Sequence, residues 1–288
     1  MQKKSHRLAM AVLTDRLASD LRAHPAPWNV RSLNTIRTVA LLRQTGHEAR
    51  NSSAKNVLGT LAERRRLLTA ELLAKPWTAS EDEVMDLIRR GADPNAIPPN
   101  GYSRVTVLAK FVDNHYLPPG SPYPPRVRWD LVKELLDVYG ADPNKGSHPP
   151  LTMSTFYLWG PTDIEHLKML LDAGANPNQP DRNGDTALSE AASNGRIDAM
   201  KLLLARGADL KVGNPPLIAA ACGGNGGYRK AVKFLLDLGC DVNVLDEFGS
   251  TALYLVERDI SRHVTHSSPY LRMARLLRAH GGVSIGDE

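Results

Sequence analysis

One pattern returns six times between residues 84 and 281, and it constrains the fold more than any average property does. An apolar stretch runs into a glycine, and turn residues follow. The copies end Leu87-Ile88-Arg89-Arg90-Gly91-Ala92-Asp93-Pro94-Asn95, Leu135-Leu136-Asp137-Val138-Tyr139-Gly140-Ala141-Asp142-Pro143-Asn144 and Leu170-Leu171-Asp172-Ala173-Gly174-Ala175-Asn176-Pro177-Asn178. They continue Leu203-Leu204-Ala205-Arg206-Gly207-Ala208-Asp209, Leu235-Leu236-Asp237-Leu238-Gly239-Cys240-Asp241-Val242-Asn243 and Leu276-Leu277-Arg278-Ala279-His280-Gly281. Successive glycines stand 49, 34, 33, 32 and 42 residues apart, so the longer units contain insertions. A unit of about 33 residues cannot bury its apolar face alone; it must stack on its neighbours.

Each copy reads as helix, helix, turn. Ile197, Met200, Leu203 and Leu204 fall on one face of a helix. The glycine suits the left-handed residue that ends a helix, because it has no Cβ to clash. Asp-Pro-Asn is turn chemistry: Pro presets φ, and the Asp and Asn side chains bond nearby backbone. The next unit opens at Thr106-Val107-Leu108, Pro149-Pro150-Leu151, Thr186-Ala187-Leu188, Pro215-Pro216-Leu217 or Thr251-Ala252-Leu253. Thr caps a first turn, and Pro at the first helical position gives up an N–H that has no helical partner.

At Asp181-Arg182-Asn183-Gly184-Asp185-Thr186-Ala187-Leu188-Ser189-Glu190-Ala191-Ala192-Ser193-Asn194-Gly195, continuing to Leu210, the sequence resembles the ankyrin repeat family. The family pattern is D-x-x-G-x-T-P-L-H-x-A-A-x-x-G with a second helix ending L-L-x-x-G-A-D. The resemblance covers about residues 69–282 in six units, the first degenerate. It implies an all-α solenoid of stacked helix-turn-helix units with short hairpin tips. The histidine of T-P-L-H is missing from every copy, its place taken by Ala109, Thr152, Ser189, Ile218 and Tyr254. In the family that imidazole ties neighbouring units by hydrogen bonds, so its loss bears on the regularity of stacking and not on the fold.

A stack needs covered ends. Residues 1–79 read as a basic N-terminal helical segment capping the array, with helices over 5–23, 30–46 and 55–75 and a linker at Arg50-Asn51-Ser52-Ser53. Ser80-Glu81-Asp82-Glu83 is a capping box opening the next helix. Repeats then occupy 80–282, and 283–288 form a tail. With only that tail beyond it, the last helix serves as its own cap and turns Arg272, Arg275 and Arg278 to solvent. Insertions at 114–129, rich in Pro, and at 259–269, holding His263 and His266, fall between the two helices of a unit, where loops sit on the surface.

The net charge of +5 hides a division. Residues 1–79 hold fourteen Lys/Arg against five Asp/Glu, or +9; the remaining 22 basic and 26 acidic residues give −4. Two cysteines, Cys222 and Cys240, cannot make a disulfide framework and point to a reducing, cytoplasmic compartment. The acid-free first fourteen residues resemble a mitochondrial presequence, which is the alternative. No run approaches the eighteen apolar residues of a membrane span.

Catalytic chemistry is not evident. Gly223-Gly224-Asn225-Gly226-Gly227-Tyr228-Arg229-Lys230 lacks the Ser/Thr of a phosphate loop and follows a helix, so it reads as the inter-helix loop with an insertion. His263 and His266 have no ligand partners at zinc spacing, and His280 is a helix-end residue. The cysteines pack as small residues. The recurrent acids belong to turns. Neither cofactor, metal nor small-molecule substrate is expected.

The resemblance implies that partners dock on the hairpin tips and the concave face of the first helices. Carried over, those positions are Asn100, Tyr102, Lys110, Met153, Phe156, Tyr157, Arg182, Asp185, Glu190, Asn194, Glu247, Phe248 and Arg258, with the aromatics as anchors. The leading expectation is a non-catalytic adaptor or structural subunit of a larger assembly of proteins. A second reading is a ribonucleoprotein subunit in which Arg31, Arg37, Arg43, Arg64, Arg65 and Arg66 neutralise RNA phosphates, although Trp28 is the only aromatic in residues 1–76 to stack a base. A third is a secreted bacterial-type effector.

Overall fold

The recurring glycines all take positive φ, from +66° at Gly140 to +114° at Gly91, a region that strains any L side chain. At five of them the next N–H reaches back five residues, as from Ala208 to Leu203 O (2.9 Å) and from Ala175 to Leu170 O (3.0 Å). This bond satisfies a helix-end carbonyl and stops the helix. At Gly140 the corresponding bond runs from Ala141 to Leu135, one residue longer, because Val138-Tyr139 extends the turn.

A computed structural model describes residues 52–75, 79–97, 105–112, 128–156, 163–223, 228–262 and 268–286. They form helices α1 (Ser52–Ala74), α2 (Glu81–Arg89), α3 (Val107–Val112), α4 (Trp129–Asp137), α5 (Pro150–Phe156), α6 (Asp163–Asp172), α7 (Ala187–Ser193), α8 (Ile197–Ala205), α9 (Pro216–Cys222), α10 (Arg229–Asp237), α11 (Ala252–Arg262) and α12 (Ser268–Ala279). The only strand pairing among the described residues is an isolated antiparallel bridge, Leu245 to Thr251.

The chain divides into two compact units. In one, α1 packs on α2 and buries Leu68 and Leu72 beside Val84, Met85, Leu87 and Ile88. Ser80 Oγ accepts the Glu83 N–H (3.2 Å), while the Glu83 carboxylate turns to Lys75 Nζ (3.4 Å). Thr69 Oγ1 accepts the Asp93 N–H (2.9 Å), tying the turn back to α1.

In the other unit the helices pair as α3/α4, α5/α6, α7/α8, α9/α10 and α11/α12, and the first helices pack in sequence, α3 on α5, α5 on α7, α7 on α9, α9 on α11. The core they enclose is aliphatic: Leu108, Leu135, Leu151, Leu167, Leu188, Met200, Leu203, Val232, Leu235, Met273 and Leu277 are buried. Each full burial contributes about 2 kcal/mol. Thr106, Thr186 and Thr251 cap their helices by accepting N–H groups of Ala109, Ser189 and Tyr254, and α5 and α9 begin at Pro150 and Pro216.

Three boundaries and one cap differ from the sequence expectation. Ser52 and Ser53 lie inside α1, not in a linker. Trp129 opens α4 and is not part of the first insertion; its ring stacks on His166 at 4.1 Å between centroids. The second insertion begins later than Asp259, because α11 continues through Arg262; extending a helix supplies the new backbone groups with partners at once. Finally, α12 does not cap itself alone. The Thr251 N–H donates to Ile285 O (2.7 Å), Thr251 Oγ1 to Val283 O (2.7 Å), and Ile285 N–H to Thr251 Oγ1 (3.1 Å), so the tail straps the last pair. Arg272, Arg275 and Arg278 are exposed on α12, and Arg278 reaches the Glu257 carboxylate. Residues 1–51 and the Pro-rich stretch 113–127 lie outside the described residues.

Candidate partner-binding surface

The tips are built by aspartates that face inward. Asp181 Oδ1 accepts the N–H groups of Asn183 (2.8 Å) and Asp185 (2.9 Å), and the Asp181 N–H donates to Asp185 O (2.8 Å). Asp246 repeats this with Phe248 (2.9 Å) and Ser250 (2.8 Å). Each carboxylate thereby fixes a finger and leaves the following side chains outside: Arg182 on one, Glu247 and Phe248 on the other. Phe248 is 69% exposed and Leu245, on the same hairpin, 50%. The finger between these two is shorter. Gly207 precedes its helix opener, Pro215, by eight residues, where Gly174 and Gly239 precede Thr186 and Thr251 by twelve. Asn214 ties this short finger to its neighbour through Gly184 O (2.8 Å), Asn183 O (3.0 Å) and Asp185 Oδ1 (2.9 Å).

On the first-helix face Glu190 is half-buried, and its carboxylate accepts from the Asn194 amide (2.9 Å). Burial pushes its carboxyl upward; the Asn194 bond opposes this, and Asp185 and Asp181 add repulsion. Lys110 on α3 and Met153 on α5 are half-buried, Arg258 on α11 is exposed beside Asp259, and Phe156 closes α5. Asn100, Tyr102 and Tyr157 lie outside the described residues. So do Arg31, Arg37 and Arg43; of the remaining front cations, Arg64 is half-buried, Arg65 pairs with Asp93 (3.1 Å) and Arg66 with Glu63 (2.9 Å).

The recurrent turn acids have a structural occupation. Asp93, Asp142, Asp209 and Asp241 each accept the N–H two residues on, as Asn176 also does. Burial pushes the Cys222 thiol up to about 11 and raises that of Cys240, the direction that makes a thiol unreactive. Among the described residues no group of three His, Cys, Asp or Glu side chains could hold a metal ion, and no helix is long and apolar enough to cross a membrane.

A family model of ankyrin repeats matches residues 127–214 and 160–246, in three copies. Residues 127–246 are ankyrin repeats. YahD, an ankyrin repeat protein of Escherichia coli, is 26% identical over 195 residues, 65% of this chain and 89% of its own length. Mask-1 of Caenorhabditis elegans, an ankyrin repeat and KH domain-containing protein, is 35% identical over 36% of this chain, which spans only 4% of that protein. Protein phosphatase 1 regulatory subunit 12A of Mus musculus is 35% identical over 27% of this chain and 8% of its own length. Ankyrin repeats are in general protein-interaction modules and not catalysts.

Without the family's histidine, an asparagine performs the inter-unit bonding. Asn144 Nδ2 donates to Gly174 O (2.8 Å) while its Oδ1 accepts the Asn176 N–H (2.6 Å). Asn178 makes the same pair with Gly207 O (2.8 Å) and Asp209 N–H (2.7 Å), and Asn243 with Gly281 O (3.2 Å) and Val283 N–H (2.7 Å). Asn95 donates to Gly140 O (3.0 Å). The recurrence of the last residue in Asp-Pro-Asn was the signal. At the fourth position Lys211 stands instead, and the ladder misses a rung.

Proposed function

We propose that this chain is a non-catalytic adaptor or structural subunit that holds a partner protein on its fingers and first-helix face. Phe248 carries the reading. Its ring stands mostly in water on a hairpin that Asp246 has already fixed, so a partner covering it gains apolar burial without having to order the loop. Leu245 adds area on the same hairpin. Arg182, Asp185, Glu190 and Asn194 offer charge and hydrogen bonds at the other full finger, and Lys110, Met153 and Arg258 extend the surface along the first helices. The turn-bound aspartates support a non-catalytic role. RNA contact through the basic front is the weaker reading, because Arg65 and Arg66 already spend their charge on Asp93 and Glu63.

The test is isolation of the intact protein with its natural partner, followed by the double variant Arg182→Ala, Phe248→Ala. Partner recovery is expected to fall at least about tenfold with the thermal midpoint unchanged. Full recovery on a folded variant would remove the finger reading, and release of the partner by ribonuclease would favour the RNA one.

A further inference from the structure

Helix α10 carries its charge the wrong way round. Arg229 and Lys230 occupy its first turn, where the helix dipole disfavours cations; no acid accompanies them, and no base stands in the last turn. Lys233 follows at i+4 and i+3, adding like-charge repulsion on one face. Helix α12 repeats the theme, with Arg272, Arg275 and Arg278 three apart and no acid in its first turn. On other second helices Lys133 pairs with Asp137 (2.6 Å), Lys168 with Glu165 (2.7 Å) and Arg206 with Asp172 (2.7 Å), while Lys201 of α8 lies over the Phe234 ring (6.0 Å). Arg229, Lys230, Lys233 and Arg275 are exposed and sit in no ion pair among the described residues. Exposed apolar side chains stand on or at the ends of the same two helices. Tyr228 is 38% exposed at the start of α10, Leu238 48% at its end and Leu271 40%, the last on the same helical face as Arg275.

We propose that the second-helix face of α10 and α12 is a distinct docking surface for an acidic amphipathic segment of a partner protein. Carboxylates would meet Arg229, Lys230, Lys233 and Arg275, and leucine-like side chains would cover Tyr228, Leu238 and Leu271. The apolar members decide between anionic partners: a nucleic-acid backbone neutralises the cations but gives Leu238 and Leu271 nothing to bury against, whereas an acidic helix answers both. The surface is separate from the fingers, and the partner found there need not be the same one.

The probe is a fluorescein-labelled helical peptide with Glu and Leu at alternating turns, read by anisotropy against the full chain at low salt, with a scrambled peptide and a single-stranded RNA oligomer beside it. Affinity should fall as salt rises and fall at least about tenfold in the variant Arg229→Glu, Lys230→Glu, Arg275→Glu. Leu271→Ser should weaken the helical peptide and not the RNA. The charge reversals repair the dipole and the repulsion, so the variant should melt no lower than the wild type, which separates lost binding from lost fold. Arg182→Ala, Phe248→Ala should leave this binding intact. Equal affinity for the scrambled peptide, indifference to Leu271→Ser, or tighter capture of RNA would overturn the proposal.

Discussion

Gly207 and Gly213 share a left-handed backbone, with φ of +88° and +69°, but not their surroundings. Around a Cβ at 207 there is nothing within 4 Å. A Cβ at 213 would stand 2.5 Å from Gly184 O and 2.8 Å from Thr186 Cγ2. Gly207→Ala therefore carries backbone strain alone, about 1–2 kcal/mol. Gly213→Ala adds a collision with a neighbouring backbone, about 1–3 kcal/mol more. Urea unfolding of the two variants measures the difference, and equal costs would mean that the short finger yields. The first constraint is legible in sequence, since a glycine closing an apolar helical run announces a helix end. The second is not: what forbids a side chain at 213 is a carbonyl 29 residues away.

Among the elements, the joints differ in their bonding. Asn144, Asn178 and Asn243 each clamp the next turn by one donated and one accepted hydrogen bond. Where Lys211 replaces asparagine, that clamp is missing, and Asn214 at the short finger supplies bonds to the preceding unit instead. Asn178→Ala is expected to destabilise by about 1–2 kcal/mol, since two backbone groups lose a partner at a site water can reach. Lys211→Asn should do the reverse, adding about 0.5–1.5 kcal/mol by offering an amide to Gly239 O and the Asp241 N–H. Chemical denaturation reads both, and a destabilised Lys211→Asn would show that the turn geometry at 239–241 departs from the other joints. Helix order, turns and capping threonines could be read from spacing and residue type because those are local properties. The ladder, the Thr251 strap on the tail and the helical start of the second insertion depend on which backbone groups the stacking brings together. Of the proposed surfaces, the exposed Phe248 was legible as a finger residue, while the sequence showed the charge order of α10 but not that Arg229, Lys230 and Lys233 stand unpaired among the described residues.

Across the molecule, the helix pairs from α3 to α12 pack in sequence, so stability there is a sum of unit terms and interfaces between neighbours. Leu203 in α8 and Leu277 in α12 are equally buried, each at 0% exposure. Truncating either to Ala should cost about 2–5 kcal/mol, so residue chemistry alone does not distinguish them. Position does. Among the described residues the pair α11/α12 packs on one neighbouring helix pair, through α9, and its loss leaves every other interface among them standing. The pair α7/α8 joins α5/α6 to α9/α10, and weakening it strains interfaces on both sides. Leu277→Ala should therefore fray locally, with early hydrogen exchange confined to α11 and α12 and the remaining helices protected as before. Leu203→Ala should broaden or split the melt, because α9 to α12 lose their connection to the pairs preceding α7 while keeping their own contacts. Exchange read helix by helix separates the two outcomes. A single sharp transition with uniform loss of protection in both variants would mean that the pairs unfold all at once, and the neighbour-by-neighbour account would then fail.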